Sequence, residues 1–238
     1  ATEMYSAGID RMAHQPLSFS VSETTEGVHI HIIDAELMGK GEKEKKDLYI
    51  EGVQNNGIIN HYEYIINSEG TIEIRHVLKP EGKMPLWFPR IGLTLTVSDA
   101  LDQVKWYGRG PQENYPDRKT GYPMGIYAST VQAMYEPYLM PQDYGLRTDV
   151  RWLQLTTDKG IGLQFKMNEW FNFNIYPYST DNLTKAMYTY QLQKQKGMTL
   201  NLDYATTGVG CTARGVFGAY KAMPQEYRRT ISIRPMMK

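Results

Sequence analysis

The chain has 238 residues, 41% of them hydrophobic, with 26 Lys and Arg against 26 Asp and Glu. That length is enough for one large domain with a real core, or two small ones, and a single domain, 1–238, is expected; the charge balance argues against nucleic acid or an anionic membrane as the main partner. No apolar run approaches the ~20 residues that span a bilayer, and the N-terminus carries no basic-then-apolar stretch of a signal peptide. The single Cys211 excludes an internal disulfide and a cysteine-based zinc site. It leaves the compartment, cytoplasmic or periplasmic, open. The chain is rich in aromatics, with 18 Tyr, 6 Phe and 4 Trp. Rings with β-branched residues favour sheets, and they suit sugars, whose C–H faces stack on them while hydroxyls find polar tips.

In chain order the dominant signal is alternation. In "VHIHII" (28–33), Val28, Ile30 and Ile32 point one way and His29 and His31 the other. Two histidines on one strand face are a candidate metal pair, but no third ligand stands near them in sequence, so they read as a polar face with no metal site; His61 and His76 are likewise unplaced. The charge run at 39–48 reads as a solvated hairpin loop. Ile72, Ile74 and Leu78 share a face, as do Ile91, Leu93, Leu95 and Val97, then Ile161, Leu163, Phe165 and Met167. Phe171, Phe173 and Ile175 stand opposite Asn172 and Asn174, and the pattern returns at 198–204 and 229–235. Period two with one apolar face predicts half-buried strands of antiparallel sheets. Turn signals at 68–70, 158–160 and 195–197 separate them. The one helix signal is at 179–188, capped by Ser179 or Thr180, with Asp181 in its first turn. The residues therefore predict an all-β protein, a large antiparallel β-sandwich with long connections.

Two connections concentrate polar chemistry. In 106–123, Gly108, Arg109 and Gly110 resemble a phosphate loop, but Pro111 removes a backbone donor and no long helix follows. Glu113 and Asp117 are the best paired carboxylates, the groups that glycoside hydrolysis requires. They lie in one proline-broken loop beside Arg109 and Arg118, so ion pairing with those arginines is the simpler reading. The segment 136–152 repeats the mixture, with Tyr138, Asp143, Tyr144, Arg147 and Arg151. Aromatic planes beside carboxylate, amide and guanidinium groups fit a carbohydrate surface, and they equally fit a sandwich that ties down long loops. No nucleophile–base pair is legible, and Cys211 has no evident base. No residue is therefore assigned as catalytic.

"VKWYGRGPQENYPDR" (104–118), "MYEPYLMPQDYGLRTDVRWLQL" (134–155), "FNFNIYPYS" (171–179) and "LNLDYATTGVG" (200–210) resemble, in order and spacing, the C-terminal domain of β-galactosidases of the large glycoside hydrolase family that includes the bacterial lactose enzyme. The resemblance implies a supersandwich of the galactose-mutarotase-like superfamily, with the catalytic glutamates on a separate α/β barrel. No βαβ alternation of a barrel occurs here. The chain is accordingly expected to be a non-catalytic piece of a β-galactosidase, inactive alone, shaping the substrate pocket and contributing to assembly. The alternatives are a freestanding carbohydrate-binding module and a mutarotase-like aldose epimerase. Expected partners are the barrel-bearing remainder, galactoside sugars and a second copy of the chain. Expected cofactors are none here, with a divalent metal in the intact enzyme.

By the same resemblance, the chain starts after the first strands of the family domain. Self-association is then expected through 17–23 and 28–33. The family loop that follows the late Gly-x-Gly supplies a Trp to the sugar pocket; here 208–218 has none, and Arg214 and Phe217 are the candidates in its place, with Asp143 and Tyr144 at the pocket rim. Glu113, Asn114, Asp117 and Arg118 are expected to form a structural network that fixes their loop, since buried charges persist only when paired.

Overall fold

The computed structural model describes residues 8–39, 56–210 and 215–237. Most of the charge run, Cys211 and Arg214 lie outside the described residues. The chain divides into two compact units, Ala1–Pro89 with Ala222–Ser232, and Arg90–Lys221 with Ile233–Lys238.

The first unit is built on an antiparallel meander of β1 (Ala13–Thr24), β2 (Gly27–Leu37), β3 (Gly57–Ile66) and β4 (Ile72–Glu81). The turn predicted at 68–70 joins β3 to β4. Asn67 Oδ1 accepts from the Glu69 and Thr71 amides, both at 3.0 Å, and Gly70 takes φ 76°, which suits a residue without Cβ. Ala35, Leu37, Ile58, Ile74 and Leu78 are buried. One side of the meander also buries polar groups. Asn60 Nδ2 donates to Asp34 Oδ1 at 2.8 Å, and His76 Nε2 lies 3.1 Å from Asn60 Oδ1. The His76 ring stacks on Tyr62 at 4.2 Å, and burial pushes its pKa down to about 4, so the imidazole is neutral at pH 7.

β1 runs along the outside of the meander and exposes Phe19 and Val21. β2 pairs on both sides, with β1 and with β3. Of the two strands expected to present a free edge, 28–33 is therefore excluded, because its backbone groups are already taken.

The second unit strings β5 (Arg90–Val97), β10 (Met198–Thr206), β9 (Gly162–Tyr176), β8 (Arg147–Thr156), β6 (Gln103–Arg109) and β7 (Met124–Thr130) in that spatial order, every pairing antiparallel. β9 pairs β8 along most of its length and β10 in its last part. Trp106, Leu153, Leu155, Phe165, Phe171, Phe173, Leu200 and Leu202 form its core. The predicted helix is present as α1 (Thr180–Lys185), with Ser179 as N-cap accepting from the Asn182 amide at 3.0 Å. Leu183 anchors it against Tyr144 and Tyr176.

The all-β, antiparallel reading holds in both units. Half-burial does not hold throughout. β10 is buried on both faces from Met198 to Tyr204, and Asn174 on β9 has no exposed surface. The polar members of those alternating runs do not meet water; they meet one another.

Candidate functional site

The segment 106–123 leaves β6 and returns into β7. The buried Trp106 indole donates to the Arg109 carbonyl at 3.0 Å, closing the end of the strand. Gly110 is required there, since a Cβ would lie 2.8 Å from the Tyr127 ring and 3.0 Å from Trp106. The Gly110–Pro111 bond is cis.

Glu113, buried, accepts from Arg118 Nη2 at 2.7 Å, the Gly145 amide at 2.8 Å, the Tyr115 hydroxyl at 3.2 Å and the Tyr138 hydroxyl. Burial alone would raise its pKa, but the Tyr138, Gly145 and Arg118 donors outweigh it and hold the carboxyl below its ordinary value. Asn114, also buried, accepts from the Thr148 amide and hydroxyl and donates to the Gln112 carbonyl. Asp117 takes different partners. It accepts from the Val209 amide at 3.0 Å and the Gly210 amide at 2.7 Å. A Cβ on Gly208 would lie 2.3 Å from its Cγ, so only glycine admits the carboxylate there.

Among the described residues, the ion pairing expected of both carboxylates therefore occurs at Glu113 with Arg118 only. Arg109 turns instead to Asp149 at 2.6 Å, which also holds Lys119 at 2.6 Å. Asp149 adopts φ 56° where β8 is bulged, a conformation uncommon for residues with a Cβ. Arg147, for which the sequence left a surface and a loop-tying role open, is buried, donates to the Gly145 carbonyl at 2.9 Å and stacks over Trp106.

A second cluster lies where β5, β9 and β10 meet. Asn201 and Asn174 are register partners. Asn201 Nδ2 donates to Asn174 Oδ1 at 2.8 Å and contacts the Tyr176 hydroxyl at 3.0 Å. Asn174 donates to Asp143 at 2.8 Å and to the Tyr144 carbonyl at 2.9 Å. Arg90 bridges two carboxylates, Asp143 at 3.2 Å and Asp203 at 3.1 Å. Burial pushes Asp203 up to about 6 against the pull of Arg90. Burial also opposes the charge of Arg90, but Asp203 and Asp143 more than compensate and raise its pKa.

Asp143, with its side chain 44% exposed, and Arg90, 25% exposed, lie over a buried amide layer. This arrangement offers acceptor and donor side by side on a fixed support, which suits hydroxyl recognition. A glycosidase needs one carboxyl free to give a proton and another free to attack or activate water. Here both are tied to one guanidinium.

Of the expected rim residues, Asp143 belongs to this cluster. Tyr144 is buried beneath it against Tyr135 and Tyr176, so its ring supports the patch and does not reach solvent. Phe217 is 67% exposed. An exposed stacked pair, Tyr188 and Tyr190, with centroids 5.5 Å apart, was not singled out by the sequence. Neither were Arg90, Asp203 and Asn201. The available signal was the recurrence of Asn and Asp at alternate positions of two strands, 172–174 and 201–203.

A family model described as "Beta galactosidase small chain" matches residues 5–233. The β-galactosidase of Priestia megaterium is 38% identical over 147 residues, 62% of this chain and 14% of that protein. The β-galactosidase of Vibrio cholerae is 39% identical over 122 residues, 51% of this chain and 11% of that protein. The matched part of the chain thus spans a small fraction of these relatives. Among solved structures, a GalM/aldose epimerase homologue from C. elegans is similar at 12% identity and TM-score 0.44, over 92% of this chain and 69% of that one. A putative aldose 1-epimerase from Escherichia coli K12 is similar at 7% identity and TM-score 0.40, over 93% of this chain and 69% of that one. On the match that runs through nearly its whole length, the chain belongs to the β-galactosidase small chain family.

Proposed function

We propose that this chain is a non-catalytic part of a β-galactosidase, which binds the barrel-bearing part and completes its substrate pocket. The observation that carries this reading is the saturation of Glu113. Its carboxylate is buried, held ionised and engaged by donors from Arg118, Tyr115, Tyr138 and Gly145. A general acid must hold a proton near neutral pH, and a nucleophile needs a free oxygen; Glu113 has neither. The polar block is instead a brace that fixes loops. The exposed Asp143, held by the mostly buried Arg90, and the exposed Phe217 are the groups we assign to sugar contact at the rim of the pocket. The outer edge of β1, with Phe19 and Val21, is assigned to an assembly contact with the larger part or with a second copy.

Co-expression with a barrel-bearing β-galactosidase polypeptide tests this. The expected result is a stable complex of the two on size exclusion, with Phe19→Lys weakening it. Two separate species at every concentration would overturn the proposal, and a homodimer of the chain alone would assign the β1 edge to the second copy.

A further inference from the structure

His29 and His31 stand two positions apart on one face of β2, and β3 sets Glu63 directly opposite His31 in the register. The nearest ligand atoms of the three residues all lie within 4.8 Å of one another. The sequence supplies the pair of histidines, and only the strand register supplies the third residue.

Glu63 is already oriented for the role. Its Oε2 accepts from Arg75 Nη1 at 3.0 Å, and Arg75 is itself fixed by Glu73 at 2.8 Å. That leaves Oε1 turned toward His29, 3.5 Å from its Nδ1. The separation is longer than a normal N–H···O hydrogen bond. It is close to the roughly 3.3 Å between two ligands that share a tetrahedral zinc ion with bonds of about 2.0–2.1 Å. His29 and Glu63 side chains are only 13% and 26% exposed, whereas His31 is exposed and leaves an open side for entry. His29 Nε2 is buried and finds no hydrogen-bond partner among the described residues.

We propose that His29, His31 and Glu63 form a binding site for a divalent transition metal of the zinc class. Two imidazole nitrogens and a carboxylate oxygen favour such an ion over magnesium or calcium, which prefer all-oxygen shells. The fourth position stays open to water or to a donor from a partner. Arg75 acts behind Glu63 by holding its unused oxygen, as outer partners of metal ligands do. The ion cross-links β2 to β3 on the face opposite the buried Asp34–Asn60–His76 network.

Isothermal titration of zinc into the tag-free protein tests this, with cobalt absorbance as a second readout of ligand geometry. The expected result is one zinc per chain, a rise in melting temperature with zinc, and visible cobalt bands of tetrahedral intensity. His31→Ala and Glu63→Gln should each weaken zinc binding at least roughly tenfold. His14→Ala, at the far end of β1, should leave it unchanged. His31 is exposed, so its variant keeps the fold and remains informative. Zinc uptake that is absent, or equal in the wild type and both ligand variants, overturns the proposal.

Discussion

Replacing Glu113 with Ala removes the acceptor of four donors at once, and their fates differ. Arg118, with its side chain 43% exposed, and Tyr138, partly exposed, turn to water at little cost. The Tyr115 hydroxyl and the Gly145 amide are buried and have no water to turn to. An unsatisfied buried donor costs about 1–3 kcal/mol, so the substitution should cost on the order of 3–5 kcal/mol, including the lost packing. Arg118→Ala breaks the same ion pair from its solvated end and leaves Glu113 its other donors, so it should cost only about 1 kcal/mol. Urea denaturation of the two variants at neutral pH measures both numbers. The pH dependence gives an independent check. The Glu113 carboxyl sits below its ordinary value of 4.5 in the folded protein, so its stabilisation is complete above that value and fades as pH falls through the lowered one. Glu113→Ala should lose that acid sensitivity. A loss below about 1 kcal/mol for Glu113→Ala, or an Arg118→Ala variant just as unstable, would refute the view of Glu113 as a saturated brace.

Gly208→Ala should push the Asp117 carboxylate off the Val209 and Gly210 amides, since its Cβ would sit 2.3 Å from Asp117 Cγ. Its melting temperature should fall, and combining it with Asp117→Ala should add little, because the two act on one tie; full additivity would contradict this. Asp203, raised from 3.8 to about 6 in the fold, favours the folded state most below 3.8 and loses that contribution as pH rises through about 6. Asp203→Asn should therefore gain stability relative to the wild type across that window, read by melts at stepped pH, and a constant difference would refute the assignment.

Strand identity was legible because alternation is a local property. The faces expected at Ile91 to Val97 and Phe171 to Ile175 bury Ile91, Val97, Phe171, Phe173 and Ile175 and half-bury Leu93 and Leu95. The helix was legible because Ser179, Asp181 and Lys185 carry its cap and its charges. What failed was the assumption that a polar residue on an alternating strand faces water. Asn174, Asn201 and Asp203 are polar on a second buried face, where amide–amide and Arg90 contacts replace hydration. Partnerships across long sequence distances were also invisible. Asp117 looks like a partner for Arg118, its neighbour, but its oxygens are claimed by amides more than ninety residues on. Glu63 reaches His29 and His31 only through the β2–β3 register. Tyr144 was expected at the pocket rim from the resemblance, and it is instead packed in a buried cluster with Tyr176 and Leu183.

Hydrolysis of a chromogenic β-galactoside tests the central claim most directly, measured with this chain alone, with a barrel-bearing β-galactosidase polypeptide alone, and with both together. The account predicts no turnover above background from this chain, and turnover from the mixture well above that of the barrel-bearing part alone. Turnover by this chain alone that disappears in Glu113→Gln, or a mixture no faster than the barrel-bearing part, would contradict it.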